Sequence, residues 1–350
     1  MRGDRTIDRR TAAALITAAV ALVVGLALWH SRPSPDRSGP QRPAALADQP
    51  DAPGTIRAPS RSRVPEPASV LAAIGDDVVA WSPRGTGRIL RGTVRGDRVV
   101  APTLVAEVAT AEGDREGVRG LAAGPDGRLY ASYVRPAGRR LVVARVDVTP
   151  PAVVWRGPRT RRTRVGGGLG VLQGGRVVVG IGDQGRPAGA RRSRRPYGRV
   201  VSLDPDGPPD QSPVRRSRGW HDPVALAVGP QGRIWVADRV GGGEPERLGR
   251  ADLSRGAGRV GAPFRRDPVA VVATVDGRAL LVCGGRSGRI DRTPVRGRGA
   301  GAVPTVLEAR CRHGLTLLGG RAWVSDDAGR IVPLPGTARD LEDAPPVEGG

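Results

Sequence analysis

The chain contains no lysine and no asparagine, and it has only two cysteines, one methionine and one phenylalanine among its 350 residues. Two cysteines exclude a disulfide-dense scaffold and a zinc site built from several cysteines. The absence of asparagine removes one of the usual calcium ligands, so a calcium cage of carboxylates and amides has too few donors. Aromatic residues make up 3% of the chain, which leaves little material for stacking bases.

The charge of the chain is strongly positive, with a formal net value of +22 carried by arginine alone. Such a chain could bind nucleic acid or anionic membranes by releasing counterions. However, the arginines are scattered, with local clusters only at 159–164, 191–195 and 215–218, and no aromatic residues alternate with them. The pattern is typical of solvated loop arginines, and we predict no nucleic-acid partner.

An apolar, uncharged run occupies residues 11–29 and follows four arginines within residues 1–10. About 19 apolar residues suffice for a helix to cross a bilayer. The basic flank favours a cytoplasmic N-terminus with the rest of the chain outside the cytoplasm. The sequence therefore predicts a single-pass signal anchor in the cell membrane. A cleaved signal peptide and secretion remain the alternative, because residues 25–27 form an acceptable cleavage site.

Residues 30–68 are rich in proline, serine and arginine and have no periodic apolar pattern. Such a segment cannot bury enough apolar surface to fold, so we expect a disordered, semi-extended linker. Residues 337–350 are expected to form a disordered tail. The folded domain is then predicted to span residues 69–336.

A short unit recurs six times in that domain: a turn with glycine or aspartate, followed by an apolar run. The copies begin roughly 43 to 57 residues apart. They lie at 75–81, 125–130, 174–179, 230–235, 275–280 and 319–324. Most are followed by a second Gly-Arg-apolar signal, and no sustained helical periodicity is present.

The physics of the unit indicates a small antiparallel sheet. Asp-Gly and Gly-Gly supply the positive-φ residues of tight hairpins, and the apolar run fits a strand covered on both faces. A single sheet of this size cannot cover its own faces, whereas radial repetition covers them and leaves only short edges. The sequence therefore predicts an all-β, monomeric six-bladed β-propeller, with seven blades or an open array as the alternatives. Tyr130, Trp235 and Trp323 occupy one place in the unit and are interpreted as blade-packing residues.

The two cysteines, Cys283 and Cys311, are 28 residues apart and beside neighbouring predicted strands. Outside the cytoplasm they can form a stapling disulfide. The alternative is a pair of buried free thiols. The sequence leaves both possibilities open.

The order of several motifs gives the chain a family resemblance. A glycine-rich entry at 164–169 precedes a strand, then Gly-Asp-Gln-Gly at 182–185, and later segments at 198–207 and 219–226. This order resembles the soluble quinoprotein glucose/sorbosone dehydrogenases, which are six-bladed propellers. The resemblance runs from about residue 70 to 335. It implies oxidation of an aldose sugar with pyrroloquinoline quinone (PQQ) and Ca²⁺ as cofactors.

The resemblance also implies catalytic residues. Asp183 matches the aspartate that orients the family's general base, while the position of the base itself holds Arg164. An arginine cannot accept a proton near neutral pH. His221 stands where the family has the arginine of its Arg-Asn-Pro element. This exchange predicts a site in which His221 is the base and Arg164 is an electrostatic clamp.

Cofactor contacts follow from the same comparison. Asp222 falls in the element that contacts the quinone, and Arg239 falls in the element whose backbone carbonyls hold calcium in the family. Both residues differ from the family pattern, and no metal ligand can be assigned.

Three function classes follow from these patterns. The first is a sugar dehydrogenase that passes electrons to a membrane acceptor. The second is an inactive propeller that binds a sugar, a cell-wall carbohydrate or a protein. The third, a hydrolase or lactonase, is disfavoured because its calcium cage needs asparagine and several carboxylates.

Overall fold

The computed structural model describes residues 67–111, 117–190, 196–240, 246–251, 258–259, 267–296, 299–300 and 305–335. The predicted anchor at 11–29, nearly all of the predicted linker and the predicted tail lie outside these ranges. Within them, no helix is both long and apolar enough to cross a bilayer. The membrane anchor therefore remains a prediction.

The described strands form six antiparallel sheets, each made of strands that are consecutive in the sequence. The first sheet contains β1 (Ala68–Ile74), β2 (Val78–Pro83), β3 (Arg88–Arg95) and β4 (Arg98–Glu107). The second contains β5 (Val118–Ala123), β6 (Leu129–Arg135), β7 (Arg140–Arg145) and β8 (Ala152–Arg159). The third contains β9 (Gly166–Val171), β10 (Val177–Ile181), β11 (Arg199–Leu203) and β12 (Val214–Arg218).

The remaining three sheets complete the domain. The fourth contains β13 (Pro223–Val228), β14 (Ile234–Asp238), β15 (Arg247–Arg250) and β16 (Gly258–Arg259). The fifth contains β17 (Pro268–Ala273), β18 (Ala279–Gly284), β19 (Arg289–Arg296), β20 (Gly299–Ala300) and β21 (Thr305–Arg310), which also pairs with β19. The sixth contains β22 (Leu315–Leu318), β23 (Arg321–Ser325) and β24 (Ile331–Pro333). The described helices are a four-residue turn, α1 (Pro187–Ala190), and 3-10 turns at Ala137–Arg139 and Pro230–Gly232.

The innermost strands of the six sheets form a closed ring. Each of β1, β5, β9, β13 and β17 packs against the innermost strand of the next sheet, and β22 packs against β1. The prediction of an all-β, six-sheet propeller is thereby confirmed.

The repeated aromatic positions fill the interfaces between neighbouring sheets, as predicted. Tyr130 packs with residues of the third sheet, Trp235 with residues of the fifth, and Trp323 with residues of the first. All three side chains are buried. The guanidinium groups of Arg250 and Arg321 lie 5.5 and 6.0 Å from the ring centroids of Trp235 and Trp323. Aromatic residues at this place in the unit therefore join the sheets.

The seam between the sixth and first sheets is closed by direct hydrogen bonds. The backbone N–H of Ala68 donates to the Ser325 hydroxyl at 2.9 Å, and the N–H of Gly314 donates to the Ala68 carbonyl at 3.1 Å. The N–H of Ser325 donates to the Gly314 carbonyl at 3.0 Å. A Cβ atom at position 314 would lie 2.7 Å from Cγ of Leu71, so glycine permits this close approach.

The two cysteines are joined by a disulfide. Cys283 belongs to β18 in the fifth sheet, whereas Cys311 lies in the segment that leads into β22 of the sixth. The disulfide therefore ties the fifth sheet to the connection that leads into the sixth.

We predict that Ser325→Ala destabilises the propeller by about 1 to 3 kcal/mol, because the buried N–H of Ala68 loses its acceptor. Urea unfolding followed by circular dichroism measures the change. Ser287→Ala is the matched control: its hydroxyl accepts from an exposed turn N–H at 3.3 Å and donates to the Gly284 carbonyl at 3.4 Å. This control is expected to shift the free energy of unfolding by less than about 0.5 kcal/mol. Equal effects in the two variants would contradict the role of Ser325 at the seam.

Candidate functional site

A cavity of about 470 Å³ opens at one end of the central channel, and all six sheets contribute to its lining. The lining residues come from the starts of the innermost strands and from the ends of the second strands. Below it the channel narrows to a cavity of about 50 Å³ lined mainly by apolar residues of the inner strands. The larger cavity has the size of a small-molecule site.

Charged side chains dominate the larger cavity. Four arginines line it: Arg84, Arg119, Arg239 and Arg312. The other ionisable lining residues are Asp267, Asp327 and His313. With four guanidinium groups and two carboxylates, the lining carries a surplus of positive charge when His313 is neutral. An anionic group is the ligand chemistry that this lining favours.

The three predicted catalytic residues converge beside this cavity. Asp183 follows β10 and is fully buried. Its Oδ2 lies 2.7 Å from Nδ1 of His221 and 3.5 Å from Nη1 of Arg164. Its backbone N–H also donates to the His221 carbonyl at 2.7 Å. The structure therefore holds one carboxylate between a histidine and an arginine.

The Gly-Asp-Gln-Gly motif makes this convergence possible. A Cβ atom at position 182 would lie 1.8 Å from the carbonyl oxygen of Arg164, so the chain can pass here only with glycine. The N–H of Gly185 donates to Oδ1 of Asp183 at 2.8 Å and fixes the carboxylate from the other side. The motif thus sets both the position and the orientation of Asp183.

The three predicted catalytic residues are not part of the cavity lining. Gly166 and Arg239 line the cavity, whereas Arg164, Asp183 and His221 stand just outside that lining, between the third and fourth sheets. His221 retains a side-chain exposure of 15% and Arg164 one of 29%.

Asp222 and Arg239 connect the catalytic candidates to the cavity. Oδ1 of Asp222 accepts from the N–H of Gly166 at 2.8 Å, and Oδ2 accepts from Nη2 and Nε of Arg239 at 2.7 and 3.1 Å. Arg239 also pairs with Asp267 at 3.2 Å. Of the two predicted cofactor-binding residues, Arg239 lines the cavity, while Asp222 is buried and positions Arg239.

The electrostatics of Arg239 follow from these contacts. Burial alone would lower the pKa of its guanidinium, but Asp222 and Asp267 outweigh that effect and hold the pKa above its usual value. Arg239 is therefore a permanent cation whose charge is already matched by two carboxylates.

Asp238 is a site residue that the sequence reasoning assigned no role. Its carboxylate is fully buried and accepts from the backbone N–H groups of His221 at 2.9 Å and Asp222 at 2.7 Å. Arg247 makes a close two-nitrogen ion pair with it and lies 5.8 Å from the Trp220 ring centroid. Burial raises the pKa of Asp238, while Arg247 opposes this change. In the sequence, the feature that could have marked Asp238 is its place at the end of the second strand of a sheet. Asp183 follows the second strand of the third sheet in a similar way.

His313 is the second residue that the sequence reasoning did not single out. It lines the cavity, and its Nε2 lies 3.4 Å from Oδ1 of Asp327. Burial lowers the pKa of His313 below the usual 6.5, with Arg84 and Arg312 acting in the same direction and Asp327 opposing them. No sequence pattern marked it, because it lies outside the repeated unit.

The described residues fit the two implied cofactors differently. The arginine-rich lining suits PQQ, which carries three carboxyl groups. For Ca²⁺, the described part of the chain brings together no group of three or more His, Cys, Asp or Glu side chains, so a calcium ion there would depend on backbone carbonyls. Of the lining carboxylates, Asp267 pairs with Arg239 at 3.2 Å, whereas Asp327 lies 4.0 Å from Arg312.

We predict that Asp222→Asn destabilises the protein by about 2 to 3 kcal/mol, because Arg239 loses a buried charged partner while Asp267 remains. Urea unfolding measures the change in free energy. Asp206→Asn is the matched control, since Asp206 is 73% exposed and pairs with Arg128 at the surface. The control should change stability by less than about 1 kcal/mol. A loss no larger than that of the control would contradict the buried pairing.

Comparisons with known proteins bear on the fold. No family model matches the chain, and no curated protein matches it. Among solved structures, the PQQ-bound form of an aldose sugar dehydrogenase from Streptomyces coelicolor is similar, with 18% identity and a TM-score of 0.63. That match covers 78% of this chain and 96% of the other.

Two further solved structures are similar over comparable lengths. A putative oxidoreductase (glucose dehydrogenase) from Thermus thermophilus has 18% identity and a TM-score of 0.61, covering 77% of this chain and 96% of its own. A soluble aldose sugar dehydrogenase from Escherichia coli, in the apo-form, has 17% identity and a TM-score of 0.59, covering 77% and 95%. The resemblance predicted from the sequence is thus confirmed at the level of the fold, and the chain has the propeller fold of the aldose sugar dehydrogenases.

Proposed function

We propose that this propeller is a diverged sugar dehydrogenase that binds a PQQ-type quinone in the central cavity and oxidises an aldose. The observation that carries the proposal is the 2.7 Å hydrogen bond between Asp183 and His221, beside an arginine-lined cavity. A buried carboxylate that orients an imidazole is the arrangement of a general base.

The cavity supplies the binding site for the quinone. Arg119 and Arg239 lie on the side of the second to fourth sheets, next to Gly166. Nε of Arg119 donates to the Gly166 carbonyl at 2.6 Å, which fixes the direction of its side chain. We assign a carboxylate group of the quinone to Arg119. Arg239, whose charge Asp222 and Asp267 already match, lines the same side of the cavity. When bound, the quinone supplies a two-electron acceptor.

His221 supplies the proton acceptor. Because Nδ1 faces the Asp183 carboxylate, Nδ1 carries the proton and donates it in this hydrogen bond, and Nε2 keeps its lone pair. Oxidation at C1 of a sugar requires that the proton of the C1 hydroxyl be accepted, and Nε2 is the atom assigned to accept it. Arg164 lies near the same carboxylate oxygen and keeps the cluster of charges balanced.

The location proposed for this activity is the outer side of the cell membrane. The apolar run at 11–29 would tether the propeller and place it near a membrane electron acceptor. The disulfide between Cys283 and Cys311 is of the kind that persists in oxidising compartments. A cleaved and secreted form is the alternative location.

A second candidate function is an inactive propeller that binds a carbohydrate or cell-wall ligand. One observation favours it: the catalytic candidates stand outside the cavity lining.

The proposal is tested by incubating the purified full-length chain with PQQ, with and without Ca²⁺. We expect a quinone absorbance band that stays with the protein and reduction of a dye when aldoses are added. Asp183→Asn and His221→Gln should lower dye reduction by roughly 10²- to 10⁴-fold, because the base is lost or misoriented. Circular dichroism verifies that both variants are folded.

Asp206→Asn serves as the control and should retain full activity. Retained PQQ without dye reduction would support the binding module instead of the enzyme. A chain that takes up no PQQ would refute the quinone proposal, and an unchanged rate in Asp183→Asn would refute the assignment of the base.

A further inference from the structure

The central cavity has two sides that differ in their balance of charge. On the side of the fourth and fifth sheets, the guanidinium of Arg239 is matched by two carboxylates, Asp222 and Asp267. This side carries no surplus positive charge, so it has little attraction left for an anionic substrate.

On the side of the sixth and first sheets, positive charge is in excess. Arg84 and Arg312 both line the cavity here and are exposed at its mouth. Arg312 reaches only the 56%-exposed carboxylate of Asp327, at 4.0 Å. Within the described part of the chain, no hydrogen bond or ion pair engages the Arg84 guanidinium. Two guanidinium groups therefore face one distant carboxylate, which is an arrangement that attracts an anion.

His313 lines the same cavity as these arginines and retains a side-chain exposure of 13%. The charged groups around it are Arg84 and Asp327 from neighbouring loops and Arg312 from its own segment, with Arg119, Arg239 and Asp267 elsewhere on the lining. When neutral, His313 carries its proton on Nε2 next to Asp327, so Nδ1 accepts a hydrogen bond, and protonation turns Nδ1 into a donor that can bond a ligand carboxylate. When protonated, it adds a further positive charge to the same side.

This side of the cavity is held in place before any ligand arrives. The disulfide fixes Cys311, whose N–H donates to the Gly288 carbonyl at 2.9 Å, and Gly314 bonds to Ala68 across the seam. Arg312 and His313 lie between these two anchored positions. A preorganised segment loses less entropy when a ligand binds.

We infer that the substrate is a uronic acid, an aldose whose C6 carboxylate binds against Arg84 and Arg312 with a hydrogen bond from His313. This inference rests on the proposed function, because it assigns the sugar that the cavity takes. In a ring of six sheets, the sixth and first lie opposite the third and fourth, where His221 stands. In a pyranose uronate, C1 and C5 flank the ring oxygen, so a carboxylate held at Arg84 and Arg312 leaves the C1 hydroxyl free to face the interior of the cavity.

The chemistry of the step also favours a uronate over an aldonate. Oxidation at C1 would convert the C1 hydroxyl into a lactone carbonyl. The hydroxyl proton would pass to His221, and a bound quinone would supply the acceptor for the hydride from C1. An aldonate has its carboxylate at C1 and offers no C1 hydroxyl. The carboxylate at C6 is unchanged by the reaction.

The inference is tested by isothermal titration calorimetry on the full-length chain, with D-glucuronate, D-gluconate, D-glucose and acetate at constant ionic strength. We expect glucuronate to bind at least about tenfold more tightly than glucose or acetate, as charge-assisted hydrogen bonds require. Arg84→Gln and Arg312→Gln should each weaken glucuronate binding about three- to tenfold and leave glucose binding unchanged.

The pH dependence gives a second readout. The carboxylate of glucuronate stays ionised above about pH 5, and the pKa of His313 lies below its usual 6.5. The affinity should therefore rise as the pH falls below about 6.5 and His313 becomes protonated. His313→Gln should remove this rise without abolishing binding. Arg278→Gln is the control, since Arg278 is 85% exposed in a hairpin turn outside the cavity lining.

Equal affinities for glucuronate and glucose, or for glucuronate and acetate, would overturn the inference, as would insensitivity to both arginine substitutions. Glucuronate binding without PQQ uptake would refute the dehydrogenase and keep the sugar assignment. PQQ uptake with dye reduction by glucose, but not by glucuronate, would support the dehydrogenase and refute the sugar assignment.

Discussion

The cavity exists only because six small sheets close into a ring without exchanging a strand. Each sheet uses strands that are consecutive in the sequence, so the closure depends on packing between innermost strands and on a few hydrogen bonds at the seam. Ala68, Gly314 and Ser325 provide those bonds where the first and sixth sheets meet. Because the sixth sheet has three described strands, the seam relies on these contacts and on the buried Trp323.

On the opposite side of the ring, buried carboxylates hold two adjacent sheets together. Asp183 accepts from the His221 side chain, and Asp238 accepts from the His221 backbone. The two aspartates belong to adjacent sheets, so His221 is held by both of them. The side chain of Asp222, the next residue, pairs with Arg239 and holds it at the cavity. One dipeptide therefore links the proposed base to the proposed cofactor site, and each buried charge has a partner that offsets its desolvation.

The sequence predicted the parts of this arrangement that the repeat encodes. Hairpin glycines and the recurring aromatic positions indicated six sheets, and the order of motifs placed Asp183, His221 and Arg164 together. Contacts between residues of different repeats could not be predicted from the repeat pattern. Arg84 and Arg312 lie at opposite ends of the described chain, and ring closure alone makes them neighbours. His313 lacks any periodic pattern, and the burial of Asp238 depends on packing between two sheets rather than on its own strand.

The seam has a consequence for how the protein is made. Arg84 emerges from the ribosome early, whereas Arg312 and His313 are among the last residues of the propeller to be translated. The binding site is therefore absent from every nascent chain shorter than nearly the full domain. A chain that ends before residue 312 lacks Arg312, His313 and Asp327 of the cavity lining, and it leaves β1 and β17 without the innermost strand that lies between them.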